Sequence, residues 1–241
     1  IEMATKRPVT IVPISRPPSI SGLMMPTTIG KAIGIAAGSI IPLIADEVAV
    51  GFGRTGTMFA WEQSGAAAPD FLCLSKGLTG GYLPLSCVLT TDAVYAAFYD
   101  DDVARGFLHS HSYTGNPLAC RAALATLDIF RDDDVIARNR PLAAHLGRRA
   151  GELAGLPHVA EVRQHGMIVA VELARDGDRW RPFPWQERRG LRVYRHALKR
   201  EALLRPIGNA VYFMPPYVIT PDEIDSLVAT ARSGIEAATC D

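Results

Sequence analysis

The chain has 241 residues, 48% of them apolar and 21% charged, which suits one or two globular domains with a buried core. Lys plus Arg and Asp plus Glu balance at 25 each, leaving no net field to attract nucleic acid and disfavouring such a partner. The four cysteines, Cys73, Cys87, Cys120 and Cys240, lie far apart with no CxxC pair, so isolated thiols in a reducing cytoplasm are expected rather than a disulfide framework.

Residues 1–40 form an irregular segment, punctuated by Pro8, Pro13, Pro17, Pro18 and Pro26, with neither helical nor strand periodicity. Lys6 and Arg7 are followed by prolines rather than an apolar run, so no targeting segment is expected. The most apolar window, Ala32–Ala45, is broken by Gly34, Gly38 and Pro42 and is too short to span a bilayer.

From Pro42 the pattern becomes regular. Pro42–Ala45 predicts a strand buried on both faces, followed by strands at Asp70–Leu74 and Leu85–Leu89. Asp92–Tyr99 has helical spacing with Asp92 as cap, and Asn116–Pro117 opens a helix to about Phe130. Short strands alternating with helices predict an α/β domain with a mostly parallel sheet over residues 41–131.

A boundary near Asp132 leaves 132–241 as a smaller α+β domain. Its predicted elements are a helix at Val135–Leu153, strands at Val159–Arg163 and Met167–Leu173 joined through His165–Gly166, and a helix at Arg188–Ala202. Short strands follow at Leu203–Arg205 and Val211–Met214. Thr220-Pro221-Asp222-Glu223 then combines a cap, a first-position proline and a capping-box glutamate, opening a last helix to about Ala237.

Gly51-Phe52-Gly53-Arg54-Thr55-Gly56 matches the dinucleotide fingerprint G-x-G-x-x-G. That fingerprint turns directly from strand to helix, whereas Asp46–Val50 intervenes here, so the nucleotide reading is set aside in favour of a tight loop. Asp46 and Lys76 instead stand at the ends of the first two predicted strands. A carboxylate in apolar surroundings needs a cation or donors, and a protonated pyridine nitrogen is such a partner. A lysine amine of lowered pKa forms a Schiff base with an aldehyde. Gly77, Gly80 and Gly81 are expected to clear room for a planar cofactor.

In His109-Ser110-His111-Ser112-Tyr113-Thr114 the histidines lack further ligands, so no metal is expected. The hydroxyls ahead of a helix N-terminus suit a phosphate. Arg205, stiffened by Pro206 and followed by Tyr212, can present its fork to a carboxylate.

The segments LIADEVAVGFGRTG, DFLCLSKGLTGG, HSYTGNPLAC and LRPIGNAVYFMPPYVIT, in that order from Pro42 to the C-terminus, resemble the class III, fold-type-I aminotransferases. The resemblance implies pyridoxal 5′-phosphate as cofactor, with Lys76 the Schiff-base lysine and Asp46 the partner of the pyridine nitrogen. Ser110 falls at the substrate pocket, and His111 and Ser112 fall on the pair that reaches the cofactor phosphate of the neighbouring subunit, which implies a homodimer. Arg205 matches a carboxylate-gripping arginine with Tyr212 beside it, and Arg54 is a further substrate-side candidate. The MPPY segment points to the branch that aminates 8-amino-7-oxononanoate in biotin synthesis with S-adenosylmethionine as donor, over other ω-amino transaminases. Small-molecule substrates follow from the same likeness, while the charge balance, the short apolar window and the isolated cysteines imply no nucleic-acid or membrane partner and a cytoplasmic setting. Family members carry about as much chain again before the IADEV motif, including a phosphate loop and a ring-stacking aromatic, and residues 1–40 show neither. The chain alone is therefore expected to bind the cofactor weakly, as a truncated and inactive fragment would.

Overall fold

In the computed structural model, residues 42–65, 68–109 and 112–240 are described, and they fall into two compact units. One comprises 42–53 and 57–134; the other comprises 54–56 and 135–240. The irregular segment 1–40 lies outside the described residues.

The first unit holds strands β1 (Ile44–Asp46), β2 (Phe71–Leu74) and β3 (Cys87–Thr90), in the order β1-β2-β3. β1 and β2 run parallel, with Ile44 opposite Phe71 and Asp46 opposite Cys73. The Asp70 carboxylate accepts from Leu43 N at 2.8 Å and pins the entry to this pair. The class is α/β, but β3 runs antiparallel to β2, so the sheet is mixed rather than mostly parallel. The β2–β3 connection carries only a short 3₁₀ turn (Lys76–Thr79) and lacks the crossover helix that usually joins parallel strands. A second correction concerns β1. Among the described residues it lies at the edge of the sheet, with Ile44 62% exposed, and is not a strand buried on both faces.

The core of this unit gathers Phe52, Leu72, Leu74, Leu78 and Ala123, flanked by Phe59, Trp61, Leu85 and Phe130. Helix α1 (Asp92–Phe98) is capped by Thr91, whose hydroxyl accepts from Val94 N, so the cap lies one residue before Asp92. Helix α2 (Pro117–Asp132) opens as expected, with the Asn116 side chain accepting from Leu118 N at 3.0 Å and proline in the first turn. It packs against the 3₁₀ turn that begins at Lys76.

The second unit is α+β. Strands β4 (Val159–His165), β5 (Ile168–Leu173), β6 (Arg205–Ile207) and β7 (Ala210–Phe213) form an antiparallel sheet in the order β4-β5-β7-β6. Helices α3 (Val135–Gly151), α4 (Arg189–Leu198) and α5 (Pro221–Thr239) complete it, with α5 packed on both α3 and α4. Burial alternates along β5, so Val169, Val171 and Leu173 meet Leu146, Val193, Leu204, Phe213, Ile224 and Ile235 in one core. The capping box at Thr220 and Glu223 is present in full. Helix α4 ends four residues earlier than its periodicity predicts, where Glu201 adopts a left-handed φ of 59°. No helix among the described residues is long and apolar enough to cross a membrane.

Candidate active site

Asp46 closes β1 and Lys76 follows β2 by two residues, so both stand at the carboxyl ends of adjacent parallel strands. Ligands of open α/β sheets bind at that edge, outside the carboxyl ends of the strands. The environment of the acid differs from the expectation. Asp46 is exposed, and its Oδ1 accepts from Val48 N at 3.0 Å. The buried carboxylate is its neighbour Glu47, only 2% exposed. Successive strand residues face opposite ways, so one of the two acids had to turn inward.

Glu47 is built into the loop that follows. Its Oε1 accepts from Trp61 N at 2.8 Å, and Gly51 N donates to its carbonyl at 3.0 Å. A Cβ at Gly51 would lie 2.8 Å from that carbonyl, so glycine is required by close approach. Burial pushes the neighbouring Glu62 carboxyl up, opposed by the Phe59 backbone hydrogen bond, and the Glu47 charge adds to the rise. The segment from Gly51 to Gly56 is a series of turns that leads through bends to a five-residue 3₁₀ helix (Ala60–Ser64) and not directly into an α-helix, in keeping with a loop rather than a nucleotide cradle.

Lys76 is exposed and has a φ of 40°. A lysine in left-handed space costs about 1 kcal/mol and persists only where its surroundings impose it. Here the neighbours are tied on both sides. The Ser75 hydroxyl donates to Leu85 O at 2.8 Å and the Thr79 hydroxyl to Leu83 O at 2.6 Å. The expectation that the nearby glycines clear cofactor space needs correcting at Gly77. A Cβ there would strike the Phe52 ring at 2.8 Å, so Gly77 admits a core aromatic. Gly81, by contrast, has nothing within 4 Å of a built Cβ.

Ser112 lies exposed in the turn before α2, in the same unit as Asp46 and Lys76. Ser110 and His111 lie outside the described residues. Arg54, Arg205 and Tyr212 belong to the second unit. Arg205, exposed at the start of β6, is the direct cross-strand partner of half-buried Tyr212 on β7. That pairing places the two side chains on the same face.

Arg54 is half-buried. Its Nη1 donates to Pro215 O at 2.5 Å, and its guanidinium carbon lies 4.4 Å from the centroid of the Tyr217 ring. Met167 N donates to the Arg54 carbonyl at 2.9 Å. Burial lowers the Arg54 pKa and raises that of Tyr217; each group's charge opposes the other's shift. Glu47, Phe52, Gly166 and Tyr217 escaped the sequence reading. Glu47 and Phe52, inside LIADEVAVGFGRTG, and Tyr217, inside the MPPY segment, carried a motif signal, and Gly166 only a turn signal.

A primary amine held in a strained backbone, a carboxylate on the next strand end and a hydroxyl-bearing turn fit pyridoxal phosphate. The model of the class III aminotransferase family matches residues 26–233, beginning upstream of Pro42. The adenosylmethionine-8-amino-7-oxononanoate aminotransferase of Nitratidesulfovibrio vulgaris is 46% identical over 200 residues, which is 82% of this chain and 36% of that protein. The crystal structure of the enzyme of that name from Methanocaldococcus jannaschii superposes with a TM-score of 0.78 at 42% identity, covering 82% of this chain and 46% of that one. The PMP-bound form of an aminotransferase from Vibrio fluvialis gives a TM-score of 0.76 at 26% identity, over 82% of this chain and 44% of that one. The chain thus spans less than half the length of the relatives it matches. The span of the family match, over a fold shared with solved aminotransferases, shows that this chain belongs to the class III aminotransferase family.

Proposed function

We propose that the protein carries out pyridoxal phosphate-dependent transamination, aminating 8-amino-7-oxononanoate to 7,8-diaminononanoate with S-adenosylmethionine as donor. The observation that carries this is the placement of Asp46 and Lys76 at the carboxyl ends of adjacent parallel strands, with Lys76 in a strained backbone. The names of the relatives at 40–46% identity support the biotin-pathway branch.

When bound, pyridoxal phosphate supplies an aldehyde and a ring that withdraws electrons from the substrate carbon. Asp46 keeps a proton on the ring nitrogen, because a neighbouring negative charge favours the protonated form. Lys76 Nζ would hold the cofactor at its aldehyde carbon, and as a free amine would carry the substrate α-carbon's proton across to that same cofactor carbon. Ser112, with His111, serves the phosphate of the partner subunit's cofactor in a cytoplasmic homodimer. Arg205 grips the acceptor's carboxylate, its planar fork matching the two oxygens, with Tyr212 beside it. Ser110 is assigned to the substrate pocket by the family resemblance, and Arg54 is a further proposed substrate-binding residue.

The test is a titration with pyridoxal phosphate, followed by visible absorbance, borohydride reduction and peptide mapping. A visible band and a reduced adduct on Lys76 are expected, both lost in Lys76→Ala. A band and adduct that persist in Lys76→Ala would overturn the lysine assignment. Turnover of other ω-amino acids without 8-amino-7-oxononanoate would move the protein to another branch of the family, and no cofactor uptake would mark an inactive fragment.

A further inference from the structure

Arg54 sits in the second unit through contacts that fix both its backbone and its side chain. Its carbonyl receives Met167 N at 2.9 Å, and a Cβ at Gly166, which has a φ of +58°, would lie 2.4 Å from that carbonyl. The β4–β5 turn therefore closes on the Arg54 backbone, and only a glycine allows the approach. The guanidinium then donates from Nη1 to Pro215 O and lies over the Tyr217 ring. Pro215 and Pro216 each fix φ, which stiffens the segment presenting that carbonyl and that ring.

A half-buried guanidinium ordinarily takes a carboxylate partner. Among the described residues, the ionisable group that shifts Arg54 is Tyr217, a phenol whose own pKa is raised by burial. The ring therefore meets the cation through its neutral face. The bond to Pro215 uses Nη1, while the Nε–Nη2 edge is the fork with which arginine grips a carboxylate.

We infer that Tyr217 is a positioning residue for Arg54, its ring face and the Pro215 carbonyl together presenting the Nε–Nη2 edge to a substrate carboxylate. Tyr217 acts through Arg54 and does not itself touch the substrate. The inference rests on the proposed substrate-side role of Arg54 and adds the device that sets its orientation. The ligand class is a small amino carboxylate, such as the amino-acid end of the donor.

The experiment labels the folded chain with phenylglyoxal and follows adduct formation on Arg54 by peptide mass spectrometry, using exposed Arg121 as internal reference. Each protein is labelled with and without S-adenosylmethionine. In the wild type, Arg54 labels slowly and the ligand slows it further. Tyr217→Phe keeps the ring and matches the wild type. Tyr217→Leu raises Arg54 labelling on the order of tenfold relative to Arg121 and loses ligand protection. Tyr217→Met, which keeps apolar bulk without an aromatic face, gives the same result should the leucine variant fail to fold. Equal Arg54 labelling in folded wild type and in Tyr217→Leu or Tyr217→Met would overturn the positioning role. Absence of ligand protection in the wild type would instead overturn the carboxylate-receptor reading on which it rests.

Discussion

Gly77 and Phe52 pack so closely that a Cβ on Gly77 would lie 2.8 Å from Cδ2 of the Phe52 ring. Phe52 is 3% exposed and belongs to the core, so the ring has little room to withdraw. The turn bearing Lys76 is thus set by how near its next residue comes to a buried aromatic. Gly77→Ala is expected to destabilise the first unit by about 1–3 kcal/mol, the usual cost of overpacking. Urea denaturation followed by tryptophan fluorescence, with Trp61 beside this core, checks it. An unchanged midpoint would show that the turn relaxes freely.

Asp46→Asn separates the local role of this residue from its proposed chemical one. The amide oxygen can still accept from Val48 N, so stability is expected to stay within about 0.5 kcal/mol. Losing the charge removes a hydrogen bond to a charged group, of about 1.5–3 kcal/mol, so affinity for pyridoxal phosphate is expected to fall on the order of tenfold or more. Parallel denaturation and cofactor titration measure the two effects. Equal affinity for both proteins would remove Asp46 from the site.

Thr220 and Glu223 satisfy each other's backbone N–H groups at the start of α5. That helix contributes Ile224, Val228, Ala231 and Ile235 to the second core, so its first turn bears on the whole unit. Thr220→Ala is expected to cost about 1 kcal/mol, visible as an earlier midpoint at unchanged slope.

Asp225 on α5 accepts from Arg149 Nε at 2.7 Å and lies 2.8 Å from His145 Nε2, both on α3. Arg149 first, then His145, holds the Asp225 carboxyl below its ordinary value of 3.8. A depressed folded pKa means that this contribution is fully present above the unfolded value and is lost as pH falls through the folded one. Wild type is therefore expected to exceed Asp225→Asn in stability above about pH 4, the two converging in stronger acid. Denaturation midpoints across that range test the sign.

Strand ends and helix starts were legible in the chain because their signals are local. An acid ending one apolar run, a lysine ending the next, Asn116-Pro117 and Thr220-Pro221-Asp222-Glu223 each declare a strand end or a helix start through their own residues. These signals carry the element order and the α/β then α+β division of textures. Long-range contacts left weaker traces. Pattern did not say which of Asp46 and Glu47 turns inward, since that depends on Trp61 offering its N–H from a later turn. It assigned Gly77 to cofactor space when the Phe52 ring fills the place.

Sequence by itself determined the family's motifs, their order and the residue types that chemistry requires, because those follow from side-chain identity and spacing. Tertiary structure alone decided that β3 runs antiparallel, that the Glu47 carboxylate meets the Trp61 backbone N–H, and that Arg54 lies over Tyr217. Each joins residues whose neighbourhood exists only after the chain has folded back on itself, and spacing along the chain does not encode that meeting.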